Sequence, residues 1–237
     1  MKQNRFHITE IIFFIVVLLP LLTGTYLRNG VWGNEIELWT HCIKKSPGKA
    51  RPYVNLGFAF YNEENFEKAF EFNQKAIELD PGFANAYHNL GLVYQKMKDL
   101  DQAVLMVEKS IQLDPDLKMA FYSLGNIYFE KKEYEASVRA FKRFLETFPY
   151  FPNVNHQMGI ICAVQRQFDK AIEAFELELQ INPSHTLAHL NLGQIYWYEF
   201  QKKEKALKHL KAALALDPFL PNRAGIQSLV RQLERIL

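Results

Sequence analysis

Six prolines constrain this chain more than any other feature. Pro47, Pro81, Pro115, Pro149 and Pro183 stand 34 residues apart, and Pro218 follows after 35. Proline lacks an amide donor and biases the residue before it away from helical geometry, so each one marks the end of an element. Regular ends at this period describe a row of like units, none of which can bury its apolar face alone. Other positions keep the same register. Leu56-Gly57, Leu90-Gly91, Leu124-Gly125, Met158-Gly159 and Leu192-Gly193 share one offset, and three residues further on stand Phe60, Tyr94, Tyr128, Cys162 and Tyr196. Ala69, Ala103, Ser137 and Ala171 mark a second helix, with Ala206 one place late.

Each residue type at these offsets has a packing reason. A glycine on the first helix lets the second approach closely, because no Cβ stands between them. The small residue on the second helix does the same from the other side. The aromatic fills the space between one hairpin and its neighbour. Gly57, Gly91, Gly125, Gly159 and Gly193 are therefore read as packing glycines, not as a phosphate loop.

This pattern resembles the tetratricopeptide repeat family, and the resemblance covers nearly everything after Trp32. It implies an all-α chain, with a right-handed α-solenoid of helix-turn-helix repeats. Five units occupy residues 50–218. Before them, residues 31–49 form a half repeat in which Asn34 to Pro47 reads as a lone second helix. After them, residues 219–237 carry Ile226, Val230, Leu233 and Leu237 at helical spacing, the stripe of a capping helix. The additional residue of the last unit falls between Tyr198 and Ala206, where it lengthens a turn.

Residues 1–30 differ from the rest. The run 11–27 carries no charge, and seventeen helical residues span about 26 Å, near the lower limit for crossing a bilayer. Tyr26 and Trp32 suit an interface, and Pro20 is tolerated inside membrane helices. A cleaved signal peptide is the rival reading, since Lys2 and Arg5 make a basic start, but no small-residue cleavage pattern follows. The expectation is an uncleaved single-pass membrane helix contacting the lipid bilayer through residues 11–27. Lys2 and Arg5 place the amino terminus in the cytoplasm and the repeats outside it, in a periplasmic setting.

The junction is more specific than a generic repeat. Thr25-Tyr26-Leu27-Arg28-Asn29, Val31-Trp32, Glu37-Leu38-Trp39 and Lys45-Ser46-Pro47-Gly48-Lys49-Ala50-Arg51-Pro52 resemble the segment that precedes the repeats in transmembrane and tetratricopeptide proteins of the O-mannosyltransferase type. That resemblance implies repeats outside the cytoplasm. It also implies a multi-span catalytic region that does not precede these repeats, so the chain reads as a detached relative of the carboxy-terminal half or as a fragment.

Little else points to chemistry. Net charge is only +2, which gives a nucleic-acid partner no support. Cys42 and Cys162 are too few for a disulfide framework and fall where small core residues belong. His185 and His189 stand four apart, but no Glu completes a metal motif. No nucleophile elbow, P-loop or glycine fingerprint is present. No catalytic residue, metal site or cofactor is expected.

In the resembled family the first helices line a concave face, and the inward offsets here are rich in aromatic and aliphatic side chains. Those singled out for a partner-binding groove are Val54, Asn55, Phe58, Tyr61, His88, Asn89, Leu92, Tyr122, Asn126, Phe129, Ile160, Gln194, Trp197 and Tyr198. Apolar anchors among amides suit an extended peptide or a docked helix, with some of them packing between first helices instead. Val54, Phe58 and Gln95 do not fit the lysine clamp with which chaperone-binding relatives hold a terminal carboxylate. Asn55, Asn89 and Asn191 share one offset, which suits either a ladder along a peptide backbone or bridges between helices; Ser123 and Gln157 interrupt it. Two functions follow. One is a membrane-anchored scaffold that binds a partner protein or peptide, a membrane-complex subunit among the candidates. The other is an accessory that presents protein substrate to a membrane glycosyltransferase.

Overall fold

The computed structural model describes residues 34–236. The run 11–27 and the junction before Asn34, on which the membrane expectation rests, lie outside the described residues, as does Leu237. Among the described residues there are twelve helices and no strand, and no helix is long and apolar enough to cross a membrane. In chain order they are α1 Glu35–Lys45, α2 Ala50–Asn62, α3 Phe66–Leu79, α4 Ala84–Lys96, α5 Leu100–Leu113 and α6 Lys118–Glu130. Then come α7 Tyr134–Leu145, α8 Val154–Val164, α9 Phe168–Ile181, α10 Thr186–Tyr198, α11 Lys203–Leu216 and α12 Arg223–Ile236. The chain divides into two compact units, one ending at Ala120 and the other beginning at Phe121.

Local chemistry sets the helix ends. Asp80, Asp114 and Asp217 follow the last residues of α3, α5 and α11 in extended geometry. Their carboxylates accept the amides of Gly82 at 3.0 Å, Asp116 at 2.9 Å and Phe219 at 2.7 Å. These are Asx turns, and with the proline between donor and acceptor they stop the helix and start the next connection. Asn65 and Asp99 cap α3 and α5 by accepting from Lys68 and Gln102, both at 3.2 Å, which satisfies amides the helix itself cannot. Inside each hairpin the turn passes through one left-handed residue: Glu64, Lys98, Lys132, Arg166 or Gln201. None is glycine, although the left-handed region costs an L-residue about 1–2 kcal/mol. The turn is closed by a long backbone bond to the aromatic offset, Asn65 to Phe60, Asp99 to Tyr94, Glu133 to Tyr128, Gln167 to Cys162 and Lys202 to Tyr196, at 2.8–3.0 Å. The additional residue of the last hairpin sits in this turn, which has four residues, 199–202, rather than three.

The glycines work by close approach. A Cβ at Gly91 would lie 2.5 Å from Val107 Cγ2, one at Gly125 2.5 Å from Phe141 Cδ1, and one at Gly159 2.6 Å from Phe175 Cε1. At Gly57 the facing group is Asn73 Nδ2 at 2.5 Å, and at Gly193 it is Leu210 Cδ2 at 2.7 Å. One offset on the second helix therefore packs directly onto the glycine of the first in every hairpin. Ser137 adds a bond across its hairpin, donating to Gly125 O at 2.7 Å.

In the first unit, Ile36, Trp39 and Ile43 of α1 pack against a core of Leu56, Phe60, Ala69 and Val93. In the second, Phe141, Phe144, Val154 and Ile161 form one cluster. A larger one runs from Ala171 and Phe175 through Leu192 and Leu210 to Ile226, Val230 and Leu233 of α12. Burying a large apolar side chain contributes about 1.5–3 kcal/mol, so the final helix stabilises α11 by covering it. Arg223 fastens the joint by donating to the carbonyls of Leu214 at 2.8 Å and Asp217 at 2.7 Å, acceptors that a helix C-terminus leaves over.

Candidate functional site

The fourteen groove candidates fall into two sets, one in each unit. In the first unit, Phe58 is 42% exposed and stacks on Tyr61, with ring centroids 6.3 Å apart. Tyr61 is half-buried over the Leu56–Phe60 core and meets Phe66 edge-on. Asn55, Asn89 and Leu92 are half-buried. Val54 offers no surface: it is 4% exposed and packs with Ala50, Ala76 and Ala86. Burial pushes the imidazole of His88 down to about 4, so it is neutral at ordinary pH.

In the second unit, Tyr122 is half-buried in an aromatic cluster, 5.3 Å from Phe144 and 5.4 Å from Phe151 between centroids. Phe129 packs on Tyr134 at 6.3 Å. Both side chains carry core packing as well as any surface they present. Asn126 is half-buried on the same helix.

α8 and α10 do form a cleft. Ile160, Ala163 and Val164 from α8 face Asn191, Gln194 and Ile195 from α10, with Phe175 at the base, around a cavity of about 300 Å³. Val164 is 56% and Tyr198 63% exposed. They share one repeat offset at the ends of their helices. Trp197 is half-buried, with its ring 6.4 Å from that of Tyr198.

A polar chain that the sequence does not announce runs beside this cleft. Asn191 Nδ2 meets His156 Nε2 at 3.2 Å, a bridge between first helices. His156 is buried, and burial first, then the neighbouring His185, pushes it down to about 4. Neutral His156 accepts from Asn191, consistent with that shift. His185 caps α10 by accepting the amide of Ala188 at Nδ1, 3.1 Å, which leaves Nε2 to donate to Asn153 Oδ1 at 2.8 Å. Asn153 has φ of 70° and gives no side-chain cap to α8. The missing cap comes from Glu178 of α9, fully buried, whose carboxylate accepts the amides of Asn153 at 2.8 Å and His156 at 3.4 Å. A glutamate where other repeats carry Ala76, Ser110, Phe144 or Ala213 was the available signal for this chain of contacts.

A second histidine pair, His189 and His209, joins α10 to α11 with Nδ1 atoms 3.0 Å apart. His189 Nε2 donates to Pro183 O at 3.1 Å, and the two Nδ1 atoms share one hydrogen between them. Burial, then His189 and Lys208, pushes His209 down to about 4. Among the described residues no group of three His, Cys, Asp or Glu could hold a metal ion. Cys42 and Cys162 are free thiols, and burial pushes Cys162 up.

Tetratricopeptide repeat models match residues 50–83, 84–117, 119–149 and 162–221, more than half of the sequence. The chain belongs to the tetratricopeptide repeat family. Among solved structures it is similar to YrrB, a tetratricopeptide repeat protein with an unusual peptide-binding site. The match has 26% identity and a TM-score of 0.68, over 81% of this chain and 99% of that one. It is also similar to MamA, at 25% identity and a TM-score of 0.63, over 68% of this chain and 94% of that one. MamA from Desulfovibrio magneticus RS-1, at 19% identity and a TM-score of 0.66 over 73% and 97%, shares the fold. No curated relative matches the sequence. The tetratricopeptide resemblance thus stands, and all twelve described helices belong to an all-helical repeat fold.

Proposed function

We propose that this protein is a membrane-tethered scaffold that holds an extended peptide or docked helix of a partner protein along the first helices of its repeats, with no chemistry of its own. The cleft between α8 and α10 supports this reading most. Ile160 and Val164 give apolar surface, Asn191 and Gln194 give amides, and Trp197 and Tyr198 lie one turn further along α10. Apolar walls with a few placed polar groups are how a site buries side chains while reading a peptide backbone. The likeness to YrrB supports a peptide as the ligand class. The tether rests on the uncharged run 11–27, with the amino terminus cytoplasmic and the repeats extracytoplasmic. The alternative, presentation of substrate to a membrane glycosyltransferase, rests on the junction residues alone.

The test begins with affinity purification from detergent-solubilised membranes and identification of the retained protein. The full chain is then titrated with that partner, beside Trp197→Ala/Tyr198→Ala and beside Glu71→Ala/Lys109→Ala on second helices. The first double variant is expected to bind at least tenfold more weakly, since central aromatic anchors commonly cost about 2 kcal/mol or more. Normal binding by it, with loss in the second, would move the site off the first helices. Release of the protein from membranes by alkaline carbonate would remove the tether.

A further inference from the structure

One hairpin lacks the aromatic that the others place between neighbours. Phe60, Tyr94, Tyr128 and Tyr196 hold that offset, and in α8 it is Cys162. At two of these positions the ring reaches back onto the second helix of the hairpin before. Tyr94 meets Phe70 of α3 edge-on at 5.6 Å, and the Tyr196 hydroxyl donates to Glu176 of α9 at 3.0 Å. The residues at those two offsets behind Cys162 are Val138 and Lys142 of α7. Both line a cavity of about 570 Å³ between α7 and α9, with Met158 and Cys162 of α8, and Ala174 and Leu177 of α9, among its walls. This volume lies in the range of ligand pockets, and the site lies wholly within the second unit, on the opposite side of the Cys162 position from Ile160 and Val164.

Charge narrows the occupant. Arg139, Lys142 and Lys170 also line the cavity, and none forms an ion pair among the described residues. Lys170 donates only to the Gln167 amide, at 3.0 Å. Two acids are present as well: Glu135 accepts from Gln165 at 2.6 Å, and Glu173 makes no ion pair. Three cations against two carboxylates leave a net positive charge around the apolar walls that Val138, Met158 and Leu177 provide.

We propose that this cavity receives one aromatic side chain of a partner peptide, with an acidic residue beside that aromatic in the peptide. The incoming ring takes the place that Tyr94 and Tyr196 fill in their own repeats, against Val138, Met158 and Leu177. The neighbouring carboxylate pairs with Lys142 and Arg139. This surface is separate from the α8–α10 cleft, so a partner could use either without the other.

The probe is the blocked tripeptide acetyl-Asp-Tyr-Asp-amide, titrated into the full chain in mild detergent while the methyl signal of Met158 is followed by NMR. A saturable shift is expected. It should be absent with Asp-Ala-Asp and at least tenfold weaker in affinity with Lys-Tyr-Lys. Cys162→Tyr supplies the ring from within and should abolish binding. Lys142→Glu, on an exposed side chain that does not hold the fold, should weaken binding at least fivefold. Trp197→Ala/Tyr198→Ala should leave this titration unchanged, which separates its outcome from that of the first-helix cleft. No shift at millimolar peptide, equal binding of Asp-Ala-Asp, or full binding by Cys162→Tyr or Lys142→Glu would overturn the proposal. So would 4-hydroxyphenylacetate binding as tightly as the tripeptide, because the pocket would then be one for a small aromatic acid.

Discussion

The second hairpin, α4–α5, and the fourth, α8–α9, are built to one plan, and they solve three local problems differently. In the second, a tyrosine closes the space to the hairpin before; in the fourth, Cys162 leaves it open. In the second, the first helix α4 starts after Phe83 with no side-chain cap; in the fourth, the first helix α8 takes its cap from Glu178 of α9. The glycine of the second faces Val107, and that of the fourth faces the larger Phe175. The fourth hairpin has moved bulk from the outer contact to the inner one and gained a cap from a distant partner where the second has none. A repeat can therefore keep its backbone while exchanging which contacts hold it.

The sharpest way to break this comparison is at the inner contact. Phe175 is fully buried, and Phe175→Ala is expected to cost about 3–5 kcal/mol in urea unfolding. The matched Val107→Ala removes fewer atoms and should cost less; equal costs would mean that the bulk has not moved.

Acid should act on both hairpins alike. His88 and His156 share one offset, and both are pushed down to about 4 from an ordinary 6.5. Between those values the unfolded chain binds more protons than the folded one. Stability is then whole above about pH 6.5 and falls as the pH drops towards 4, by up to about 3 kcal/mol for each group. Urea midpoints measured across that window should flatten in part for His88→Gln and again for His156→Gln. A slope unchanged in either variant would show that its imidazole does not titrate this way.

Glu178→Ala removes the distant cap and is expected to cost about 1–2 kcal/mol. Amide exchange at Asn153 and His156 should speed up while the α5 amides keep their rates. Cys162→Tyr should move the fourth hairpin towards the second and raise stability by about 0.5–2 kcal/mol, the usual return of filling a gap; a lower melting temperature would mean that the cavity walls cannot admit a ring. The smallest change is expected from Lys98→Gly and Arg166→Gly. Each relieves a left-handed turn residue, and each should stabilise by a few tenths to about 1 kcal/mol. A difference between them would show that the two turns are strained unequally.

The proline period and the glycine offsets made the repeat legible, because backbone ends and close approaches demand particular residue types. The same register put Phe58, Ile160, Gln194 and Tyr198 on first-helix faces, where they are exposed or line a cleft. It could not tell that Val54 would be covered by Ala50, Ala76 and Ala86, since an offset fixes which side of a helix a residue occupies and not what arrives to cover it. Tyr122 shows the same limit: part of its cover is Phe151, in the connection between α7 and α8, and its offset alone does not say that this ring reaches it. Glu178 left only one mark in the sequence, an acid at an offset where other repeats carry uncharged residues, and that mark does not name its partners. A charged residue on a helix is ordinarily solvated, and nothing local says that an uncapped helix start lies opposite it.

The bond from Glu178 also says where this chain can be cut and rejoined. Because α8 is capped by α9, the donor amides and their acceptor travel together only when both helices are moved as one cassette. A chimera joined in the segment 146–152 would carry the pair intact. One joined in the turn 165–167 would strand a buried carboxylate on one side and an open helix start on the other. For grafting or rearranging these repeats, the α8–α9 hairpin is therefore the smallest piece that can be moved whole.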